Sequence, residues 1–142
     1  MADATILLVD DEVRVLDSLE ALLAMDYRVL RAERPDAALE VLAREEVALV
    51  VSDQRMPGMT GTELLGRVAE RSPATTCVIL TAYGPEAVGQ PGLLQSIECV
   101  IAKPWDDGML RTALREFLFE REVEDPRWSE RFERKGAKGR AF

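Results

Sequence analysis

Three aspartates, a threonine and a lysine stand at the ends of four short apolar runs. Thr5-Ile6-Leu7-Leu8-Val9 leads into Asp10-Asp11, and Val47-Ala48-Leu49-Val50-Val51 leads through Ser52 into Asp53. Cys77-Val78-Ile79-Leu80 ends on Thr81, and Cys99-Val100-Ile101-Ala102 ends on Lys103-Pro104. Gathered in one place, these side chains suit a divalent cation and a phosphoryl group. Mg²⁺ takes hard oxygen ligands in near-octahedral order, commonly one or two carboxylates with several waters. Asp10, Asp11 and Asp53 supply such oxygens, and their mutual repulsion favours uptake of a cation. An aspartate beside bound Mg²⁺ can attack phosphorus and form an acyl phosphate. The metal and the Lys103 ammonium would stabilise charge on the transferring oxygens, and Thr81 could hydrogen-bond one of them.

Each residue alone also fits a structural role. Asp10-Asp11 could cap the helix that follows, and Asp53 precedes a Pro-Gly loop of the kind in which aspartate forms turns. Thr81 could be a loop hydroxyl and Lys103 a solvated charge. Their joint placement is what argues for chemistry, and that depends on the elements that carry them. Short β-rich runs that are apolar throughout, separated by helical patterns, are expected of parallel strands covered on both faces. In such open sheets ligands bind outside the carboxyl ends of the strands. The alternation of strand and helix predicts an α/β fold.

The helical patterns can be placed from their spacing. Val13, Leu16, Leu19, Leu22 and Leu23 mark a first helix, and Arg28-Val29-Leu30 a short second strand. Pro35 opens a second helix with Ala38, Leu39, Val41 and Leu42 on its buried face. Residues 54–61 form a loop containing Pro57 and two glycines. Thr62 caps or enters a third helix that carries Leu64, Leu65 and Val68 and closes before Pro73. Pro85, Gly89, Pro91 and Gly92 interrupt the stretch after Thr81, so the expectation there is a turn or two around Leu93-Leu94 in place of a full helix. The last helix of the domain should begin near Asp106 and bury Leu110, Leu114, Phe117 and Leu118.

At 142 residues, 47% hydrophobic and 31% charged, the chain is long enough for one domain with a real core and a short appendage. A net charge of −8 argues against a nucleic-acid-binding body. No apolar run reaches the roughly 20 residues of a membrane helix, and no secretory leader is visible, so a cytoplasmic location is expected. Histidine is absent and only Cys77 and Cys99 carry thiols, which excludes a structural zinc site and histidine acid–base chemistry. The two thiols, each four residues before a site residue, could lie together as a redox pair or be separate buried hydrophobes.

The segments Ile-Leu-Leu-Val-Asp10-Asp11-Glu12, Val-Val-Ser-Asp53-Gln-Arg-Met-Pro57-Gly58-Met59-Thr-Gly61, Val-Ile-Leu-Thr81-Ala82-Tyr83 and Val-Ile-Ala-Lys103-Pro104-Trp105 match a known pattern in order, spacing and flanks. Over about residues 4–120 the chain resembles the receiver domain of bacterial two-component response regulators. The resemblance implies a flavodoxin-like, doubly wound, five-stranded parallel sheet of order 2-1-3-4-5, here with an irregular or shortened fourth helix. It implies that Asp53 accepts a phosphoryl group from a histidine kinase. Asp11, Asp53 and the backbone carbonyl of Arg55 would ligate Mg²⁺, with Asp10 acting through a metal-bound water. Thr81 would move toward the phosphoryl group, Lys103 would pair with Asp53 or the phosphate, and Lys103-Pro104 would be cis. Arg55 and Tyr83 occupy positions that tune phosphate lifetime in the family. Val100 stands where the family commonly carries a Tyr or Phe that changes rotamer with the threonine.

The expected organisation is a receiver domain over residues 1–120 and a C-terminal extension over residues 121–142. The extension contains one short helix starting at Asp125-Pro126, with Trp128 and Phe132 on one side. Its basic end, Arg134 to Arg140, reads as a mobile tail. No room is expected there for a helix-turn-helix unit, so the output would be protein–protein contact, with homodimerisation left open. A second reading is a receiver-like interaction module that acts without phosphorylation and chooses partners through the extension. A phosphatase using Asp53 as nucleophile would want a second acid where Arg55 stands.

Overall fold

Each apolar run forms a strand whose alternate side chains enter two separate cores. The computed structural model describes residues 4–82, 97–123 and 140–141. In chain order these residues form β1 (Thr5–Val9), α1 (Val13–Leu23), β2 (Arg28–Ala32), α2 (Pro35–Arg44), β3 (Leu49–Asp53) and α3 (Gly61–Arg71). They continue with β4 (Thr76–Thr81), β5 (Cys99–Ala102), α4 (Asp107–Val123) and β6 (Arg140–Ala141). The strands are parallel and lie in the order β2-β1-β3-β4-β5-β6. The first five have the expected order 2-1-3-4-5.

Period-two alternation explains the layers. Ile6, Leu8, Leu49, Val51, Val78 and Leu80 pack with Leu16, Leu19 and Leu23 of α1 and with Leu110, Leu114 and Phe117 of α4. Leu7, Val9, Val50, Ile79 and Val100 pack on the other face with Ala38 of α2 and Leu64, Leu65 and Val68 of α3. Covering both faces is why these strands are apolar at successive positions. β2 is different: as an edge strand it is half-exposed and carries Arg31, which pairs with Asp17 and Glu20 of α1, each at 2.8 Å.

Two pairs of alternatives are decided and one expectation needs adjustment. The third helix is capped by Thr60, whose hydroxyl accepts the Glu63 N–H at 3.2 Å, while Thr62 lies inside it. The two cysteines do not adjoin: the register sets Val78 opposite Cys99, so Cys77 and Cys99 face different cores. Both are free and buried, and burial pushes the Cys77 thiol up to about 12, so a redox pair is ruled out. Arg140, read as the end of a mobile tail, pairs with Cys99 in a two-residue strand alongside β5. An open strand edge offers the ladder groups for such an addition. The expected irregular segment at Pro85–Gly92, Leu93-Leu94, Tyr83, and the short helix with Trp128 and Phe132 all lie outside the described residues.

The start of α3 is set by a close approach. A Cβ on Gly61 would lie 2.2 Å from the Asp53 carbonyl oxygen and 2.9 Å from Ile79 Cδ1, whereas one on Gly66 would meet nothing within 4 Å. Gly61→Ala should therefore destabilise the protein by about 2–3 kcal/mol through overpacking. Gly66→Ala, in the middle of the same helix, should stabilise it by about 0.5–1 kcal/mol. Urea denaturation of the two variants beside wild type would check the opposite signs.

Candidate functional site

Register and parity together deliver the polar residues to one edge. β1 and β3 pair Val9 with Ser52, so Asp10 and Asp53 follow side by side at the carboxyl ends. Both continue the alternation that sends Leu8 and Val51 toward α1 and α4. Lys103 keeps the same phase after Cys99 and Ile101 on β5. Carboxylate oxygens of Asp10, Asp11 and Asp53 lie within 4.8 Å of one another. Asp10 and Asp53 are buried and Asp11 is exposed, which leaves the cluster open on one side.

Lys103 reaches across from β5. Its Nζ lies 2.8 Å from Asp10 Oδ2 and 3.3 Å from Asp53 Oδ1, so its nearer partner is Asp10. The Lys103-Pro104 peptide is cis, as the resemblance implied. Asp10 has a second task, because its Oδ1 accepts the Glu12 N–H at 2.9 Å at the start of α1. This is a turn bond to the residue before the helix and not a helix cap, since Glu12 is the N-cap of α1 and no side chain caps it; the bond coexists with the ion pair. Thr81 ends β4 with its side chain fully buried, and its carbonyl accepts the Lys103 N–H at 2.8 Å. Arg55 lies two residues beyond Asp53 in the following loop, with its side chain exposed.

The electrostatics are those of a cation site. Burial raises the Asp53 pKa above its ordinary value, and the neighbouring charge of Asp10 raises it further. Together they outweigh the lowering by Lys103 and by the Gln54 N–H. Burial alone would lower the Lys103 pKa, but the hydrogen bond to Asp10, the Asp10 charge and Asp53 outweigh it and hold the ammonium above its ordinary range. One ammonium thus faces a crowded group of carboxylates. The donor set contains only hard oxygens, as Mg²⁺ prefers, and a divalent ion would relieve the remaining repulsion.

Several residues that sequence reasoning passed over hold the acceptor loop. Ser52 Oγ donates to the Asp53 carbonyl at 2.8 Å, and the Gln54 N–H donates to Asp53 Oδ1 at 2.9 Å. The buried Gln54 side chain accepts from Thr62 at two atoms. The sequence signal was the Thr60-Gly61-Thr62-Glu63 run, a capping-box pattern, six residues after Gln54.

Comparison with known proteins agrees with this geometry. The family model described as the response regulator receiver domain matches residues 6–115. The hydrogenase transcriptional regulatory protein HoxA of Cupriavidus necator is 38% identical over 107 residues, covering 72% of this chain and 21% of its own length. The sporulation initiation phosphotransferase F of Bacillus subtilis is 31% identical over 120 residues, covering 83% of this chain and 96% of its own length. A crystal structure of the signal receiver domain of an HD domain-containing protein from Pseudomonas fluorescens Pf-5 superposes with a TM-score of 0.76 at 34% identity, covering 85% of this chain and 98% of that one. The chain spans less than a third of the length of several of the regulatory proteins it matches. With its five-strand order, strand-end acidic cluster and lysine reaching across the sheet edge, the chain belongs to the response-regulator receiver family.

Proposed function

We propose that the chain is a phosphoacceptor of a two-component system or phosphorelay, taking a phosphoryl group from a histidine kinase onto Asp53. The observation that carries this reading is the Asp53 carboxylate held within 4.8 Å of Asp10 and Asp11, with the Lys103 ammonium at 3.3 Å. In the transfer an Asp53 oxygen bonds to phosphorus while the bond from phosphorus to the kinase histidine nitrogen breaks. Asp11, Asp53 and the Arg55 carbonyl would hold Mg²⁺, and Asp10 would hold a water on it. When bound, the metal supplies positive charge to the transferring oxygens. Lys103 then faces the phosphoryl group from the β5 side, and Thr81 donates its hydroxyl to a phosphoryl oxygen.

The domain reading is a receiver over residues 1–120 and an extension over residues 121–142. The match to 96% of the length of a sporulation initiation phosphotransferase supports phosphoryl transfer, and we read the output as protein contact. The matches to transcriptional regulators favour receivers as parts of longer chains. A cytoplasmic location suits a kinase partner, and among the described residues no helix is long and apolar enough to cross a membrane. Homodimerisation is compatible with either arrangement. The alternative is an interaction module that acts without phosphorylation. It is favoured by Val100, a buried valine packed in the apolar cluster where the family commonly has an aromatic rotamer switch.

Acetyl phosphate labelling read by intact mass decides between them. Wild type with Mg²⁺ should gain one phosphate of about 80 Da. Asp53→Asn, or wild type without metal, should gain none. Absence of the adduct in wild type, with bound Mg²⁺ demonstrated and kinase donors also failing, would favour the phosphorylation-independent module.

A second expectation follows from the raised Asp53 pKa. The folded protein holds this proton more tightly than the unfolded chain, so stability from this group falls as pH climbs from the ordinary 3.8 through the raised value. At pH 7 the ionised group is a net burden on the metal-free fold. Asp53→Asn should therefore melt higher than wild type in metal-free buffer at pH 7, with the advantage fading toward pH 3. Saturating Mg²⁺ should narrow the gap by stabilising wild type. Calorimetric melts across pH, with and without Mg²⁺, would reveal both trends.

A further inference from the structure

Gln54 is bonded through its N–H, its carbonyl and its side-chain oxygen. Its N–H donates to Asp53 Oδ1 at 2.9 Å, and its carbonyl accepts the Gly61 N–H at 2.9 Å. Its Oε1 accepts both the Thr62 N–H at 2.9 Å and the Thr62 hydroxyl at 2.8 Å. Because both Thr62 groups donate, the amide orientation is fixed with its oxygen toward α3. Gln54 and Thr62 are 5% and 2% exposed, so water does not substitute readily for these bonds. The loop between them leaves β3 at Asp53, passes Arg55 and re-enters the structure at Gly61, against the Asp53 carbonyl.

We propose that Gln54 and Thr62 form a positioning pair for the acidic site, a clamp that closes the β3–α3 loop and fixes the Asp53 carboxylate and the Arg55 backbone for Mg²⁺. Thr60 already caps the helix at Glu63. The Gln54 amide is thus more than an end cap: it ties the second helical N–H directly to the residue after the acceptor. Without the clamp the loop still folds over Gly61, but Asp53 loses the constraint on the residue that donates to its Oδ1. Outer-shell groups of this kind act on metal affinity by orienting the ligands. The inference rests on the Mg²⁺-dependent reading above.

Calorimetric titration of Mg²⁺ into the unphosphorylated full chain tests it. Gln54→Leu should weaken binding about tenfold. Thr62→Val keeps the shape and the N–H but removes the hydroxyl, and should weaken binding about threefold, while Thr62→Ser should stay near wild type. The double variant Gln54→Leu with Thr62→Val should be no weaker than Gln54→Leu alone, because the two residues act as one unit. Thr75→Val is the stability control. It deletes another buried hydroxyl bond, to the Val47 carbonyl at 2.8 Å, at the amino edge of the sheet. It should lower the urea midpoint and leave Mg²⁺ affinity unchanged.

Unchanged affinity in folded Gln54→Leu and Thr62→Val, or an equal loss in Thr75→Val, would overturn the clamp and leave the proposed function standing. Should Gln54→Leu fail to fold, the Thr62→Val and Thr62→Ser pair decides by the same comparison. Wild type that takes up no Mg²⁺ would sink the proposed function and the clamp together.

Discussion

The rest of the structure is organised around one electrostatic constraint: two largely buried carboxylates, Asp10 and Asp53, held beside each other at the edge of a sheet. They are 2% and 8% exposed, and burial raises the pKa of Asp53. Lys103 reaches them from the end of β5, two strands from β3, and is itself only 13% exposed at the side chain. A buried pair of this kind is weak evidence for stability, because desolvation can exceed the Coulombic gain. Its value is geometric. The lysine holds the carboxylates in place while leaving them short of positive charge, the condition in which a divalent ion or a phosphoryl group finds work to do. The double-sided apolar core around β1, β3, β4 and β5 tolerates that local penalty.

Much of this was legible in the sequence because two simple periodicities coincide. A strand buried on both faces reads as a continuous apolar run. The residue after the run then takes its face from its parity. Asp10, Asp53 and Lys103 share a parity with Leu8, Val51 and Ile101, so the same alternation that sorts the cores also gathers the site. The helices were readable for a similar reason, with Leu16, Leu19 and Leu23 on one and Leu64, Leu65 and Val68 on another at helical spacing.

What escaped the sequence were features that depend on register or on competition between equivalent groups. The cysteines looked adjacent because each precedes a site residue by four. The ladder, however, pairs Thr81 with Ala102, not with Lys103, and that offset of one sends the thiols to opposite faces. Thr60 and Thr62 are equally able to cap a helix. Thr60 takes the role because Gly61 must sit against the Asp53 carbonyl and Thr62 is engaged by Gln54. β2 extends to Ala32, beyond the apolar Val29-Leu30 pair, because Arg31 is stabilised in the strand by two acids of α1 rather than by burial.

The same offset bears on how a change at the acidic site reaches the rest of the fold. Thr81 belongs to the opposite parity from Asp53 and Lys103, yet its carbonyl binds the Lys103 N–H. The ends of β4 and β5 are therefore joined through the main chain at the point where their side chains diverge. Val100, three residues before Lys103, is packed among apolar neighbours and pairs with Ile79. A β-branched residue there is stiff about its first side-chain torsion, and it has no ring that could swing between a buried and an exposed position. Among the described residues, the Lys103 N–H to Thr81 carbonyl bond ties the end of β4 to the end of β5. β5 is also the strand whose outer edge pairs with Arg140 and Ala141. In this chain one short strand, β5, both delivers the lysine that faces the acidic site and forms the edge on which Arg140 and Ala141 pair.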